Sequence, residues 1–135
     1  MKTSTHFALP FFYLLLTSSC SNQDYYPAEY VGFEQTSLEH FFDTKNEEET
    51  ITLKIIAGEK QHTDRRLTIR SSANSNAFRI QEIHPVIPKG KKSVKTNLIL
   101  FPKKMNGTLR ALRLVCIPEG KDAKVSEISI RLQKK

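Results

Sequence analysis

Apolar residues along most of the chain recur at every second position rather than every third or fourth, the period of a strand with one buried face. Val31 and Phe33 share one face. Ile51, Leu53 and Ile55 alternate with Thr50, Thr52 and Lys54. Leu67 and Ile69 sit between Arg66, Thr68 and Arg70, and Phe78 and Ile80 flank Arg79. Val94, Thr96, Leu98 and Leu100 alternate with Lys95, Asn97, Ile99 and Phe101. Leu112, Leu114 and Cys116 follow, and then Ile128, Ile130 and Leu132 alternate with Ser129 and Arg131. Seven or so short segments rich in β-branched residues are predicted as strands.

Turn chemistry falls between them. Ala57-Gly58-Glu59, Ser72 to Asn76, Pro88-Lys89-Gly90, Asn106-Gly107 and Glu119-Gly120 punctuate the chain. Pro85, Pro88, Pro102 and Pro118 lie near strand ends, where a missing N–H does little harm. Asn106-Gly107-Thr108 also matches a glycosylation acceptor, but between two apolar runs it reads as a turn. Short strands with one apolar face and regular turns predict a single all-β, Ig-like antiparallel sandwich of about seven strands; periodicity alone leaves a closed barrel open. The core is expected to hold Phe33, Ile51, Leu53, Ile55, Leu67, Ile69, Phe78, Ile80, Leu98, Leu100, Leu112, Leu114, Ile128 and Ile130. Leu38 to Glu49 is the one ambiguous piece, with Phe41-Phe42 beside an acidic run reading as either a short helical turn or a loop plugging one end.

The first residues obey a different pattern. Phe7 to Leu16 is apolar throughout and ten residues long. That suits a signal h-region of roughly 7–15 residues and falls short of the roughly 20 needed for a membrane span. Thr17-Ser18-Ser19-Cys20 follows. Small residues directly before a cysteine resemble the lipobox of bacterial lipoproteins, with Leu16 one place earlier than the usual leucine. The resemblance implies cleavage before Cys20 and a lipid on its thiol; the plainer reading is a secretory signal with an incidental cysteine. The organisation expected is a signal peptide over 1–19, a lipidated tether over 20–28 and the sandwich over 29–135.

Tyr30-Val31-Gly32-Phe33-Glu34, the lead Asp64-Arg65-Arg66, Phe78-x-Ile80 and then Ile87-Pro88-Lys89-Gly90 complete a second pattern. With the lipobox, it resembles small Ig-like sandwich domains of unknown function in Bacteroidota outer-membrane and surface lipoproteins. The resemblance implies the fold and a lipid-anchored place at the outer membrane, on its periplasmic or surface face. It implies no catalytic residue.

Charge changes the picture next. From Cys20 to Asp64 there are ten acids and three bases, and from Arg65 to Lys135 four acids and seventeen bases. Such asymmetry fits strands of opposite sign lying side by side, or a basic face for an acidic partner. Lys89, Lys91, Lys92 and Lys95 are the strongest cluster and are taken as the partner-binding candidates. Nucleic acid is an unsuitable partner for an exported protein, which leaves the phosphates of outer-membrane lipid or an acidic patch on another protein. The plainer reading is a solvated edge strand, where lysines discourage aggregation.

The residues that catalysis needs are sparse. His40, His62 and His84 stand apart without the i, i+4 spacing of a zinc site. The chain has no Gly-rich phosphate loop, Gly-x-Ser-x-Gly elbow or Cys-x-x-Cys. Glu47-Glu48-Glu49 reads as a solvated edge. Asp24, Asp43, Asp64 and Asp122 form no Asp-x-Asp calcium pattern. Cys116, in phase with Leu112 and Leu114, reads as core rather than nucleophile. Sugar platforms want exposed aromatic faces, and the candidates are only Tyr25, Tyr26 and Tyr30. No enzyme, cofactor or metal site is expected. Two functions stay open: a non-enzymatic accessory module docking on a larger outer-membrane or surface complex, and a structural or adhesive, fimbria-like subunit assembling by strand exchange. A donated strand would need a long apolar terminus, and Ser21 to Ala28 and Gln133-Lys134-Lys135 are too polar, which favours docking.

Overall fold

The computed structural model describes residues 26–105, 110–120 and 123–135. Cys20, the signal peptide, most of the tether and the Asn106-Gly107-Thr108 turn lie outside these residues. Nine strands form among those described: β1 (Val31–Phe33), β2 (Ser37–Phe42), β3 (Glu49–Ala57), β4 (Arg65–Ser71), β5 (Phe78–Ile80), β6 (Val86–Ile87), β7 (Ser93–Leu100), β8 (Ala111–Pro118) and β9 (Ser126–Lys134). They build two sheets, ordered β1-β3-β7-β5 and β2-β9-β8-β4-β6. The all-β sandwich is therefore the fold, and its two separate sheets exclude the closed barrel.

The alternation predicts these strands because each inward residue meets the facing sheet. In β3, Ile51, Leu53 and Ile55 are buried between exposed Thr50, Thr52 and Lys54. Leu67 and Ile69 of β4, Leu98 and Leu100 of β7, Leu112, Leu114 and Cys116 of β8, and Ile128, Ile130 and Leu132 of β9 complete one continuous core. Two expected core residues, Phe78 and Ile80, only pack against its rim. They belong to β5, a three-residue edge strand with a neighbour on one side only.

The number of strands and the pairing depart from expectation in the segment the sequence left ambiguous. Leu38 to Glu49 is neither helical turn nor plug: it holds all of β2 but its first residue, and the first residue of β3. β2 lies parallel to β9, with Ser37 opposite Ser129 and Phe42 opposite Lys134, so the sandwich is not wholly antiparallel. Its inward positions, Leu38, His40 and Phe42, do alternate, but a histidine sits in the middle and Phe41 points outward, 49% exposed. β6 likewise has no signature in the sequence, since two residues between Pro85 and Pro88 offer no period to read. A 3-10 turn at Pro102–Lys104 brings Pro102 and Met105 into the interior.

One pole of the sandwich gathers the start of β1, the end of β3 and the start of β7, through the register pairs Val31–Ala57 and Ile56–Ser93. The second sheet ends at the same pole with Arg65–Ile87, Leu67–Pro118 and Cys116–Ser126. The chain enters the fold here. The Tyr30 N–H donates to the Pro27 carbonyl at 3.0 Å, and the Gly58 N–H to the Tyr30 carbonyl at 2.8 Å. A Cβ at Gly58 would lie 1.9 Å from the Pro27 oxygen, so only glycine lets the entering segment pass.

Candidate functional site

Three of the four candidate lysines share this entry pole. Lys89, Lys91 and Lys92 stand on the connection from β6 to β7, all exposed. The loop is fixed by backbone bonds. The Lys89 N–H donates to Asp64 Oδ1 at 2.9 Å, the Gly90 N–H to the Gln61 carbonyl at 2.8 Å, and the Lys91 N–H to the Pro88 carbonyl at 3.0 Å. Gly90 adopts φ +78°, a left-handed conformation that favours glycine and turns the chain between the lysines. The Ala57 N–H reaches the Lys92 carbonyl at 2.9 Å, docking the loop on the end of β3.

Lys95 is set apart from the other three. It lies on the outward face of β7, between inward Val94 and buried Thr96, and its register partner on β3 is Lys54. Like charges directly opposite each other repel, and Glu34 offsets this by approaching Lys54 Nζ at 3.7 Å. No ion pair forms at Lys89, Lys91, Lys92 or Lys95 among the described residues. The sequence reading missed Lys60, which the fold brings beside the loop lysines, and Lys54, which it places opposite Lys95 on the sheet face. Lys54 depends on strand register and Lys60 on the contact between two loops, neither of which a single strand pattern reveals.

The same pole also carries a cleft of about 530 Å³, lined by Tyr30, Val31, Arg65, Lys124, Val125 and Ser126 among others. That volume is within the range of small-ligand pockets, roughly 300–1,000 Å³. Arg65 donates from Nη2 to the Glu59 carbonyl, while its Nε is buried with no hydrogen-bond partner among the described residues. Burial lowers the Arg65 pKa, with the Glu59 carboxylate opposing. Glu29, Asp64 and Glu119 line the cleft as well, so its charge is mixed.

Other candidates are absorbed into structure. Cys116 is fully buried, and burial pushes its thiol pKa up to about 11 despite the Ser126 hydroxyl beside it, leaving little thiolate for chemistry. His40 Nε2 lies 2.8 Å from Glu49 Oε1, and Glu49 Oε2 accepts the Asp43 N–H at 2.9 Å and Asn46 Nδ2 at 2.7 Å. Burial pushes the Glu49 pKa up, but these bonds outweigh it and the net shift is downward. His84 contacts Thr68 through Nδ1 at 3.3 Å. Tyr30 spends its hydroxyl on the Phe33 carbonyl at 2.6 Å and stacks on Tyr26 with centroids 5.3 Å apart. No group of three or more His, Cys, Asp or Glu suited to a metal ion occurs among the described residues. Opposite charges do meet across the chain's two halves: Glu39 of β2 faces Arg131 of β9 at 4.0 Å, and Lys103 pairs with Glu47.

No family model matches the sequence, and no curated protein matches it. Solved structures match by shape. The PapD-like domain 7 of human CEP192 superposes with a TM-score of 0.59 at 14% identity, over 84% of this chain and 91% of that one. The Escherichia coli chaperone DraB gives 0.53 at 10% identity, over 78% and 55%. A candidate carbohydrate-binding protein from Bacteroides ovatus gives 0.53 at 8% identity, over 76% and 37%. This chain thus spans about half of the chaperone and about a third of the Bacteroides protein. At these identities the likeness defines the fold alone: the chain is an Ig-like β-sandwich, similar in shape to PapD-like domains.

Proposed function

We propose that this is a membrane-anchored bacterial lipoprotein of the Bacteroidota type, held at the outer membrane by lipid on Cys20. Its sandwich serves as a non-enzymatic accessory module, docking by its basic corner on an acidic surface of a larger outer-membrane or cell-surface complex. The observation that carries this reading is that corner: Lys89, Lys91 and Lys92 stand exposed on a loop fixed by its backbone, and Lys95 stands exposed on the neighbouring face of β7, all without ion pairs among the described residues. Exposed cations that the fold does not neutralise make a field that speeds encounter with an acidic partner.

Catalysis draws no support from Cys116 or His40, both committed to packing or to a local hydrogen-bond cluster. Sugar stacking draws little from Tyr26 and Tyr30, whose rings cover one another. Strand exchange fits poorly, since the inner faces of both sheets are already covered by this chain's own residues and β9 lies inside its sheet.

The test uses membrane-extracted protein as bait in outer-membrane extract, beside a variant with Lys89, Lys91, Lys92 and Lys95 all changed to Glu. Recovery of partners should fall in the variant, and in wild type as salt rises and the Debye length shrinks below about 8 Å. Equal recovery by both proteins at every salt concentration would reduce the lysines to a solubilising edge.

A further inference from the structure

The entry pole places the anchor and the lysine loop side by side. Cys20 stands six positions before Tyr26, and six extended residues reach at most about 20 Å. Tyr26 lines one groove together with Ala57, Gly58 and Lys92. Wherever Cys20 is fixed, this pole is held close to it. The charges displayed here are Lys60, Lys89, Lys91 and Lys92 on two adjoining loops, with Lys124 across the cleft. The nearby acids Glu29, Glu59, Asp64 and Glu119 are four against these five lysines together with Arg65 and Arg66.

We infer that Lys89, Lys91 and Lys92, with Lys60 beside them, bind the anionic headgroups of the membrane in which Cys20 is anchored. This rests on the lipoprotein reading and narrows its docking face: the three loop lysines meet lipid, which leaves Lys95, with Lys54 opposite it, to meet the acidic partner. One acyl-type anchor fixes a point but no orientation; a basic patch within a Debye length of an anionic surface is the second signal that sets the domain's attitude. Phosphate is a shape-tolerant target, met well by the flexible point charges of lysine. Lys95 and Lys54 are placed differently. They project from the face of the β1-β3-β7-β5 sheet rather than from its pole, so an upright domain presents them sideways, to a protein neighbour in the same membrane. The corner then divides into a lipid-facing loop and a partner-facing sheet.

The test places the purified lipidated protein in vesicles of phosphatidylcholine alone or of phosphatidylcholine with phosphatidylglycerol. Lysine acetylation rates are then read site by site by mass spectrometry. Lys89, Lys91 and Lys92 should label several-fold more slowly on the anionic vesicles. Lys45 and Lys134, at the opposite pole, should label alike on both. The difference should vanish in about 1 M salt, where the screening length is about 3 Å. Changing Lys89, Lys91 and Lys92 together to Glu should remove the slowing at Lys60. Equal labelling of both poles on both vesicles overturns the inference while leaving the anchor intact. Slowing that requires added outer-membrane protein also overturns it, assigning the loop to a protein partner. If Cys20 carries no acyl mass and the protein sediments with neither vesicle, the anchor reading fails and this inference falls with it.

Discussion

Gly32 and Ser126 show how tightly the two sheets meet at the entry pole. A Cβ on Gly32 would lie 2.3 Å from Ser126 Oγ and 2.6 Å from its Cβ, distances no pair of atoms tolerates. The closeness has a purpose, because the Phe33 N–H donates to Ser126 Oγ at 3.1 Å and so satisfies an edge-strand donor. Gly32→Ala should therefore push β1 off β9 and cost about 1–3 kcal/mol, the usual range for overpacking. In urea, the midpoint should fall at an unchanged slope. Ser126→Ala should relieve it only in part, since the Cβ remains. An unaltered midpoint in Gly32→Ala would mean that the strands separate there freely. In the sequence Gly32 stands only as one residue of Tyr30-Val31-Gly32-Phe33-Glu34. Its reason lies in a residue near the other end of the chain, a distance no local pattern encodes. The Arg65 guanidinium is hidden for a similar cause: Arg65 reads as the polar lead of a strand, yet the inward phase of Leu67 and Ile69 turns it toward the cleft.

At the level of elements, the strands that were legible are those with several inward residues facing the other sheet, such as β3, β7, β8 and β9. Those that were not are the edges, where half of each residue's surroundings is solvent and burial writes a weaker pattern. β2 is the clearest case, because no hairpin turn announces a parallel partner. Its ladder has a definite phase. The Ser129 N–H donates to the Thr36 carbonyl at 3.0 Å and the Lys135 N–H to the Phe42 carbonyl at 2.9 Å. In an extended strand, successive backbone groups alternate in direction, so positions 36, 38, 40 and 42 address β9 while 37, 39 and 41 address the open edge. Proline removes a donor and should discriminate between the two sets. His40→Pro should destabilise the fold strongly, about 3 kcal/mol or more if the strand breaks, and Glu39→Pro by much less. The comparison is made by chemical denaturation. Equal losses at both positions would mean that β2 does not pair with β9 in this phase.

At the level of the whole molecule, alternation and turn chemistry specify an all-β sandwich, but the site depends on which strand ends share a pole. That is set by topology: β1 and β2 belong to different sheets, and β9 returns to lie between β2 and β8. The four lysines were legible as a cluster in the sequence. Their division between loop and sheet face was not, because β7 begins between Lys92 and Lys95. The same topology makes the core one cooperative unit rather than two separable sheets. Leu114 occupies the middle strand of the five-stranded sheet and is wholly buried, and its cluster includes Leu53 and Leu98 from the facing sheet. Leu114→Ala leaves a cavity between the layers, so no nearby loop can collapse to fill it. A cost of about 2–5 kcal/mol is expected, a large part of the roughly 5–15 kcal/mol that holds a small domain together. Both layers should weaken together: far-ultraviolet circular dichroism and the fluorescence of Tyr26 and Tyr30 should report one shared transition at a lower urea midpoint. Two separated transitions would show that the sheets unfold independently, and a loss below about 1 kcal/mol would show that Leu114 does not bridge them.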